Sequence, residues 1–241
     1  MIRTFKIQSL YAHTGRDAAS LAIGAALATQ ESSPRILNAL WDWGDGAIAV
    51  PKKTLSNDCL TLCPIDVDRD APEWYVAMQE PDMHVWTGNR VPDDIDEVRE
   101  LLAGYNAHPD IMAWCIRDGL SGSMVGTYWL AVPYPSEGKR ISVDAQRIAK
   151  SFWRTGRTMA ARRLVYRYAF EDLAVEEIHA SAWGHNVNSC RSMERAGFEL
   201  VEVAARFNPK YGKELNERHY VLTRERWRRA VATSRERLAE E

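Results

Sequence analysis

The sequence predicts an α/β protein of the α+β kind, in which helices flank a central sheet. Three consecutive segments carry this prediction. Residues 157–170 place small and apolar side chains three and four positions apart, which is the spacing of one helix face. The short segment 177–183 has the length of a buried strand. Asn186, a residue type favoured at helix N-caps, then precedes a second helical segment.

The segments before this region also alternate between strands and helices. They are, in order, a strand at 60–65, helices at 71–79 and 94–105, a hairpin of strands at 111–117 and 124–132, and a central strand at 141–149. Pro92 and several acids precede the helix at 94–105, and both features suit a helix start. Asp118 and Gly119 supply the turn of the hairpin. A last strand is predicted through residues 220–222.

Three regions are predicted from these elements. Residues 58–227 form the main domain, and the Arg- and Glu-rich residues 228–241 form an exposed helical tail. Residues 1–57 form an N-terminal extension with a strand at 2–11 and helices at 16–30 and 34–43. The Ala-rich run at 18–28 follows a polar start and Asp17, so we interpret it as a short helix and not as a signal peptide.

A basic turn precedes the helix at 157–170. Its residues are Arg154, Thr155, Gly156, Arg157 and Thr158. The first N–H groups of a helix lack internal partners and point outward, so a diphosphate at this position gains several hydrogen bonds. Gly156 permits close approach of the anion. Residues 139–167 carry nine Lys or Arg residues against the single acid Asp144, which suits a phosphate ligand but also a solvated basic helix face.

Two motifs decide between these alternatives. The first is an aromatic-Trp-x-x-Gly turn with Tyr-Ala-Phe closing the following helix, and the second is Asn-x-x-Ser followed by Glu-basic-x-Gly-Phe. The residues are Phe152, Trp153, Gly156 and 168–170 for the first, and Asn186, Ser189, Glu194, Arg195, Gly197 and Phe198 for the second. They resemble the GNAT superfamily of N-acetyltransferases, and within it the RimJ and RimL branch of ribosomal-protein-alanine N-acetyltransferases. Weaker likeness extends the resemblance over about residues 58–227.

The resemblance implies a central mixed, mostly antiparallel sheet with a splayed strand pair, and acetyl-CoA as co-substrate. The pantetheine would pair with the backbone of Arg147, Ile148 and Ala149 and contact Asn186, while the diphosphate would bind the turn at 154–158. Two residues depart from the family pattern. Arg154 replaces the first turn glycine, and Met193 replaces a tyrosine that protonates the departing thiolate. The RimL-like branch places a serine near the cofactor thiol, and Ser189 matches it, so the resemblance implies Ser189 as a candidate proton donor. Its alternative role is helix capping or packing.

Transfer of an acetyl group to an amine also requires a base, because a primary amine with a pKa of about 10 arrives protonated. Asp144 on the central strand and Glu217 before the last strand are the candidates. Each is alternatively a surface or salt-bridging carboxylate. Residues 66–100 contain eleven acids against three arginines, and this acidic rim would attract a cationic amine. About half of these acids alternatively fit helix starts. We expect a protein N-terminus or a small-molecule amine as the acceptor.

Composition narrows the remaining function classes. The net charge of −2 gives no support for a nucleic-acid partner, and no stretch approaches the apolar length of a membrane span. The four cysteines are scattered without metal-ligand spacing, so we predict no metal and a reduced, cytoplasmic location. The extension at 1–57 is expected to pack on the main domain, with a lid or a homodimer contact as alternatives.

The favoured function is an acetyl-CoA-dependent N-acetyltransferase acting by direct transfer in a ternary complex. The alternative is a GNAT-fold regulatory module that binds acyl-CoA without turnover. Arg154 and Met193 favour this alternative, whereas the intact motif from Asn186 to Phe198 favours the enzyme.

Overall fold

The computed structural model describes residues 53–86, 90–208 and 210–240, with no side-chain description beyond residue 233. The strand predicted at 2–11 and the helices predicted at 16–30 and 34–43 lie outside the described residues. The strands are β1 Leu55–Ser56, β2 Leu60–Pro64, β3 Ile111–Asp118, β4 Met124–Ala131, β5 Tyr134–Ser136, β6 Lys139–Ile148, β7 Glu177–Trp183, β8 Glu199–Asn208 and β9 Lys213–Thr223. The helices are α1 Val67–Met78, α2 Asp82–Val85, α3 Ile95–Ala107, α4 Arg157–Arg167, α5 Val187–Arg195 and α6 Arg224–Glu240.

The described strands form a mixed, mostly antiparallel sheet, as predicted. Its order is β1-β2-β3-β4-β6-β7-β9-β8, and β5 pairs with β6 beside this path. The pair β6–β7 is parallel, whereas the other pairs are antiparallel. Leu55 of β1 pairs with Leu62 of β2, so residues assigned above to the extension join the main sheet.

Helices cover both faces of the sheet, and each face has its own apolar core. Ile148 of β6 packs in the core beneath α4, α5 and α6. Ile141 and Val143 of the same strand pack in the core beneath α1, α2 and α3. Even and odd residues of β6 therefore point to opposite sides, as strand geometry requires. β3 and β4 lie between the two cores, and their side chains are almost all buried.

Several predicted boundaries need correction. α1 begins at Val67 and not at residue 71, because Asp66 accepts a hydrogen bond from the Arg69 N–H at 3.2 Å and caps an earlier start. Pro72 lies inside α1 one residue into its second turn, where the missing N–H removes one intrahelical hydrogen bond. The prediction that Glu217 precedes the last strand is wrong, since β9 already begins at Lys213 and pairs along β8 as a long hairpin.

A buried ion-pair network fastens α1 to β3. Asp70 is fully buried and binds Arg69 at 2.7 Å and Arg117 at 2.5 Å, and its carboxylate also accepts the Asp66 N–H at 2.9 Å. Burial alone would raise the pKa of Asp70, but the hydrogen bonds from Arg69 and Arg117 outweigh burial and hold this pKa below its ordinary value. The carboxylate therefore stabilises the fold while it is ionised.

We expect Asp70→Asn to lower the free energy of unfolding by about 1.5–3 kcal/mol at pH 7, the range for a hydrogen bond to a charged group. Because the folded-state pKa is depressed, this contribution is present above the unfolded-state value of about 3.9 and is lost as the pH falls through the folded-state pKa. Urea unfolding at pH 7 and at acidic pH measures it. Asp68→Asn is the matched control, since Asp68 pairs with Arg99 on the surface. Equal losses in both variants would contradict the network's role.

Candidate active site

The site begins where β6 and β7 separate. These strands pair in parallel over three positions, from Ile141↔Glu177 to Val143↔His179. β6 then continues along β4 as far as Ile148, while β7 continues along β9 as far as Trp183. The facing edges of β6 and β7 beyond these positions have no strand partner among the described residues. The splayed pair that the resemblance implied is therefore present, and backbone edges of this kind bind extended ligands by adding hydrogen bonds.

The basic turn lies directly after the open edge of β6. Gly156 has a φ of 81° and forms the N-cap of α4. The first hydrogen bond of the helix joins the Ala160 N–H to the Gly156 carbonyl at 3.0 Å, which leaves the N–H groups of residues 157–159 directed outward. A side chain at 156 would meet no atom within 4 Å, so the space over this helix start is open. The arrangement fits a diphosphate.

Arg154 stands where the family pattern has a glycine, and its backbone explains that pattern. Its φ of 62° lies in the left-handed region, which glycine adopts without strain. The turn therefore has, at this position, a backbone conformation that suits the glycine of the family pattern. The Arg154 side chain is exposed beside the open space over α4, where an arginine binds phosphate readily.

Two other side chains of the turn form hydrogen bonds within the protein. Arg157 binds Asp118 through Nε at 2.9 Å and through a terminal nitrogen at 2.7 Å. The Ser121 N–H and the Arg157 guanidinium lower the pKa of Asp118 to about 2. The Thr155 hydroxyl donates to the Phe152 carbonyl at 2.7 Å. Of these two residues, Arg157 offers a ligand its backbone N–H, and Thr155 shapes the turn.

Asp144 lies on the face of β6 that is covered by α4, not in the cleft. Its Oδ2 accepts hydrogen bonds from the hydroxyls of Tyr128 at 2.5 Å and Tyr166 at 2.7 Å, and the residue is buried. Burial raises the pKa of both tyrosines well above the ordinary value, with the Asp144 charge adding to this effect. The geometry thus favours a structural role over that of a base.

Glu217 lies on the opposite face from Asp144. It pairs with Trp183 of β7, whose odd-numbered residues share a face with Val143 and Arg147 of β6. The Glu217 carboxylate accepts a hydrogen bond from the Ser181 hydroxyl at 2.9 Å, and its other oxygen lies 3.4 Å from Nε2 of His219. This group of polar side chains borders the region where β6 and β7 diverge.

Asn186 and Ser189 lie at the start of α5, directly after β7. The Asn186 side-chain oxygen accepts the Ser189 N–H at 3.2 Å and caps the helix. The capping role considered for Ser189 thus belongs to Asn186. The Ser189 side chain is half-buried at the end of the cleft, whereas Met193 is buried in the core one turn further along α5.

The acidic rim is largely occupied by internal contacts. Asp66 and Asp94 cap α1 and α3, and eight further acids of residues 66–100 lie in ion pairs. These pairs are Asp68 and Asp96 with Arg99, Asp70 and Glu73 with Arg117, Glu80 and Asp82 with Lys150, and Asp93 and Glu97 with Arg90. Helix starts and ion pairs therefore account for nearly all of this acidic segment, and a cationic acceptor stays a prediction.

Sequence reasoning missed a basic and aromatic wall on the Glu217 face. Arg147 of β6 lies near His84 of α2 and Lys210 of the β8–β9 turn. Burial lowers the pKa of His84 and of Lys210, and the Arg147 charge lowers both further. The His185 ring stands 5.8 Å from the rings of both Trp86 and Tyr211.

Within the described part of the chain, no three His, Cys, Asp or Glu side chains are grouped to hold a metal ion. The same residues contain no helix with the length and apolar character needed to cross a membrane.

Comparison with known proteins identifies a curated relative. The chain is similar to FsC-acetyl coenzyme A-N(2)-transacetylase of Aspergillus fumigatus, with 33% identity over 118 residues, and the match covers 45% of this chain and 49% of that protein. The chain thus spans about half the length of this curated relative.

Solved structures share the fold. A GCN5-related N-acetyltransferase from Brucella melitensis superposes with a TM-score of 0.68 at 17% identity, covering 76% of this chain and 84% of that one. Mycobacterium smegmatis RimJ in complex with CoA-disulfide superposes with a TM-score of 0.65 at 20% identity, covering 76% and 96%.

The family model for the acetyltransferase (GNAT) domain matches residues 60–199, which is more than half of the chain. This match spans the splayed strands, the turn at Gly156 and the capped start of α5. The chain therefore belongs to the GNAT acetyltransferase family.

Proposed function

We propose that the protein is an N-acetyltransferase that moves an acetyl group from acetyl-CoA to a primary amine within a ternary complex. One observation carries this proposal. The unpaired edge of β6 leads directly into a left-handed turn and an open helix start, so one extended ligand can pair with the strand and bring its phosphates to α4. The name of the Aspergillus relative, which contains acetyl coenzyme A, supports this ligand.

In this proposal, Arg147, Ile148 and Ala149 provide the strand edge for the pantetheine. The Ala149 N–H donates to the Val125 carbonyl and the Ile148 carbonyl accepts from Trp153 Nε1, so the pantetheine would pair with the remaining backbone groups of this edge. The N–H groups at the start of α4 and the Arg154 guanidinium bind the diphosphate. Backbone N–H groups on the open edge of β6 stabilise the negative charge that develops on the carbonyl oxygen. Asn186 caps α5 at the end of the cleft, and its amide NH₂ group is the part that would contact the pantetheine.

Glu217 is the proposed base, because it borders the cleft on the face opposite to Asp144. It would take a proton from the acceptor ammonium, directly or through water, before the nitrogen attacks the thioester carbon. A C–N bond then forms as the C–S bond breaks, and the thiolate that leaves accepts a proton. Ser189 is the proposed donor of that proton, and its hydroxyl regains a proton from the new amide nitrogen, which loses its second proton after the attack.

The acceptor class remains open between a protein N-terminus and a small-molecule amine. The word N(2)-transacetylase in the relative's name favours a nitrogen acceptor. A cytoplasmic location is also proposed, since the four cysteines are free thiols. The packing of residues 1–57 as an extension, their lid role and a homodimer stay predictions.

We expect Glu217→Gln to lower kcat by about 100-fold or more, in the range typical of general base catalysis. Acetyl-CoA affinity should stay unchanged. Release of CoA thiol from acetyl-CoA during an amine screen measures the rate. Glu214→Gln is the matched control, because Glu214 lies exposed on the same strand.

Two results would separate the alternatives. Activity of Glu217→Gln equal to that of Glu214→Gln would remove Glu217 as the base while leaving the enzyme proposal intact. Tight acetyl-CoA binding by the unmodified protein without thiol release for any amine would favour the non-catalytic module.

A further inference from the structure

We infer that the acceptor amine carries a carboxylate group, which binds the guanidinium of Arg147 on the cleft face of the sheet. This inference rests on the proposed function and adds the chemical class of the acceptor. It follows from the position of Arg147, from the residues around it and from the charges that they carry.

Arg147 differs from the other buried or half-buried arginines of the domain. Arg117 binds Asp70 and Glu73, Arg157 binds Asp118, and Arg162 donates to the Ser192 hydroxyl at 3.0 Å. The Arg147 side chain is half-buried and forms no ion pair or hydrogen bond with any residue in the described ranges. A cation withdrawn from water is costly unless an anion compensates it. A ligand carboxylate would provide this compensation.

The groups nearest to Arg147 are also basic. His84 and Lys210 lie close enough for their charges to interact with that of Arg147. Burial lowers the pKa of His84 and of Lys210, and the Arg147 charge lowers both further. The Tyr105 hydroxyl also lies near Arg147. It is a weak acid, and burial raises its pKa. The Arg147 and Lys210 charges therefore give the surroundings a positive potential that favours an anion.

Backbone and ring contacts hold together the elements next to Arg147. The Lys210 ammonium donates to the His84 carbonyl, and the Tyr211 hydroxyl donates to the Val85 carbonyl, so the β8–β9 turn is fastened onto α2. The His185 ring stands between Trp86 and Tyr211. Nδ1 of His84 and Nε2 of His185 are buried without a hydrogen-bond partner in the described part of the chain.

The His84 tautomer follows from its single hydrogen bond. Nε2 lies 2.7 Å from the Met78 carbonyl, and a carbonyl oxygen only accepts, so Nε2 carries the hydrogen. Nδ1 of the neutral ring is then an acceptor that an ammonium group can satisfy. A neutral His84 ring leaves Arg147 and Lys210 as the cations that a carboxylate of the acceptor would meet.

The phosphates of acetyl-CoA are the other possible source of an anion. Their proposed site is the start of α4, which lies on the face of β6 that carries Ile148. Arg147 is an odd-numbered residue of the strand, and its side chain points to the face of Ile141 and Val143. An anion bound by Arg147 therefore belongs to the second substrate, and a guanidinium binds a carboxylate through two parallel hydrogen bonds.

The test measures thermal stability, so it needs no turnover. Free CoA at saturation prevents transfer, and matched amines with and without a carboxylate are added at about 10 mM and equal ionic strength. The pairs are L-lysine and cadaverine, L-ornithine and putrescine, and trialanine and its C-terminal amide. The proteins are the unmodified chain, Arg147→Met, and the control Arg206→Met, which removes an exposed charge from β8.

We expect CoA to stabilise all three proteins to the same degree. In at least one pair, the carboxylated member should add a larger stabilisation in the unmodified protein and in Arg206→Met, and this difference should vanish in Arg147→Met. Equal effects of the two members in every pair, or a preference that survives in Arg147→Met, would overturn the inference alone. A CoA effect weakened by Arg147→Met would assign Arg147 to the phosphates and also overturn it. No CoA effect in any protein would overturn the proposed function and the inference together.

Discussion

Gly156→Asp is expected to weaken acetyl-CoA binding by about 100-fold or more, equivalent to about 2.7 kcal/mol. The new carboxylate would stand at the N-cap of α4, in the open space proposed for the diphosphate. It would repel the phosphates and compete for the same N–H groups. Aspartate is among the residues that tolerate a left-handed backbone, so the φ of 81° at this position should not prevent folding.

Calorimetric titration with acetyl-CoA measures this loss. Gly156→Ala separates backbone strain from charge, and its affinity should fall by less than that of Gly156→Asp. Gly138→Asp is the matched control, because Gly138 has a φ of 77° and equally open surroundings in the β5–β6 turn. An affinity of Gly156→Asp within about threefold of the unmodified protein, a difference of only about 0.7 kcal/mol, would mean that the diphosphate binds elsewhere.

Asp144→Ala is expected to lower the free energy of unfolding by about 3–5 kcal/mol, because it leaves two buried tyrosine hydroxyls without an acceptor. Tyr128 and Tyr166 both donate to this carboxylate, and Arg162 lies close enough for its charge to interact with it. Urea unfolding measures the loss. Asp144→Asn keeps an acceptor oxygen in place and should lose clearly less stability.

Kinetics of the same variants test the alternative role. If Asp144 is structural, Asp144→Asn should retain most of its activity when assayed well below its unfolding midpoint. A variant with unchanged stability, within about 1 kcal/mol, and with greatly reduced kcat would restore Asp144 as the base.

The motifs of the central region were informative because their residues are local. The turn at 152–156 and the cap at Asn186 depend on neighbours a few positions away, and both form in the structure. The sheet with its splayed strands followed from the resemblance that these motifs carry. The pairing of Arg157 with Asp118 joins residues 39 positions apart, so the local pattern of the turn gave no sign of it.

The candidate bases show which contacts cannot be predicted from the sequence. Asp144 and Arg147 differ in parity along one predicted strand, so their opposite faces could be read from the sequence. The two tyrosines that donate hydrogen bonds to Asp144 could not be predicted, because one comes from β4 and the other from α4. The same holds for His84, Arg147 and Lys210, which three separate elements bring together. Charge counts over 66–100 could not reveal the ion pairs either, since ion pairs depend on tertiary structure.

The measurement that tests the central claim most directly is the thermal stability of the unmodified protein with and without acetyl-CoA. A ligand at about 100 times its dissociation constant stabilises the folded state by about 2.7 kcal/mol, which corresponds to roughly 5–10 °C for a chain of this size. We expect a rise of this order at saturating acetyl-CoA. An unchanged unfolding temperature at millimolar acetyl-CoA would contradict a binding site built from the β6 edge and the start of α4.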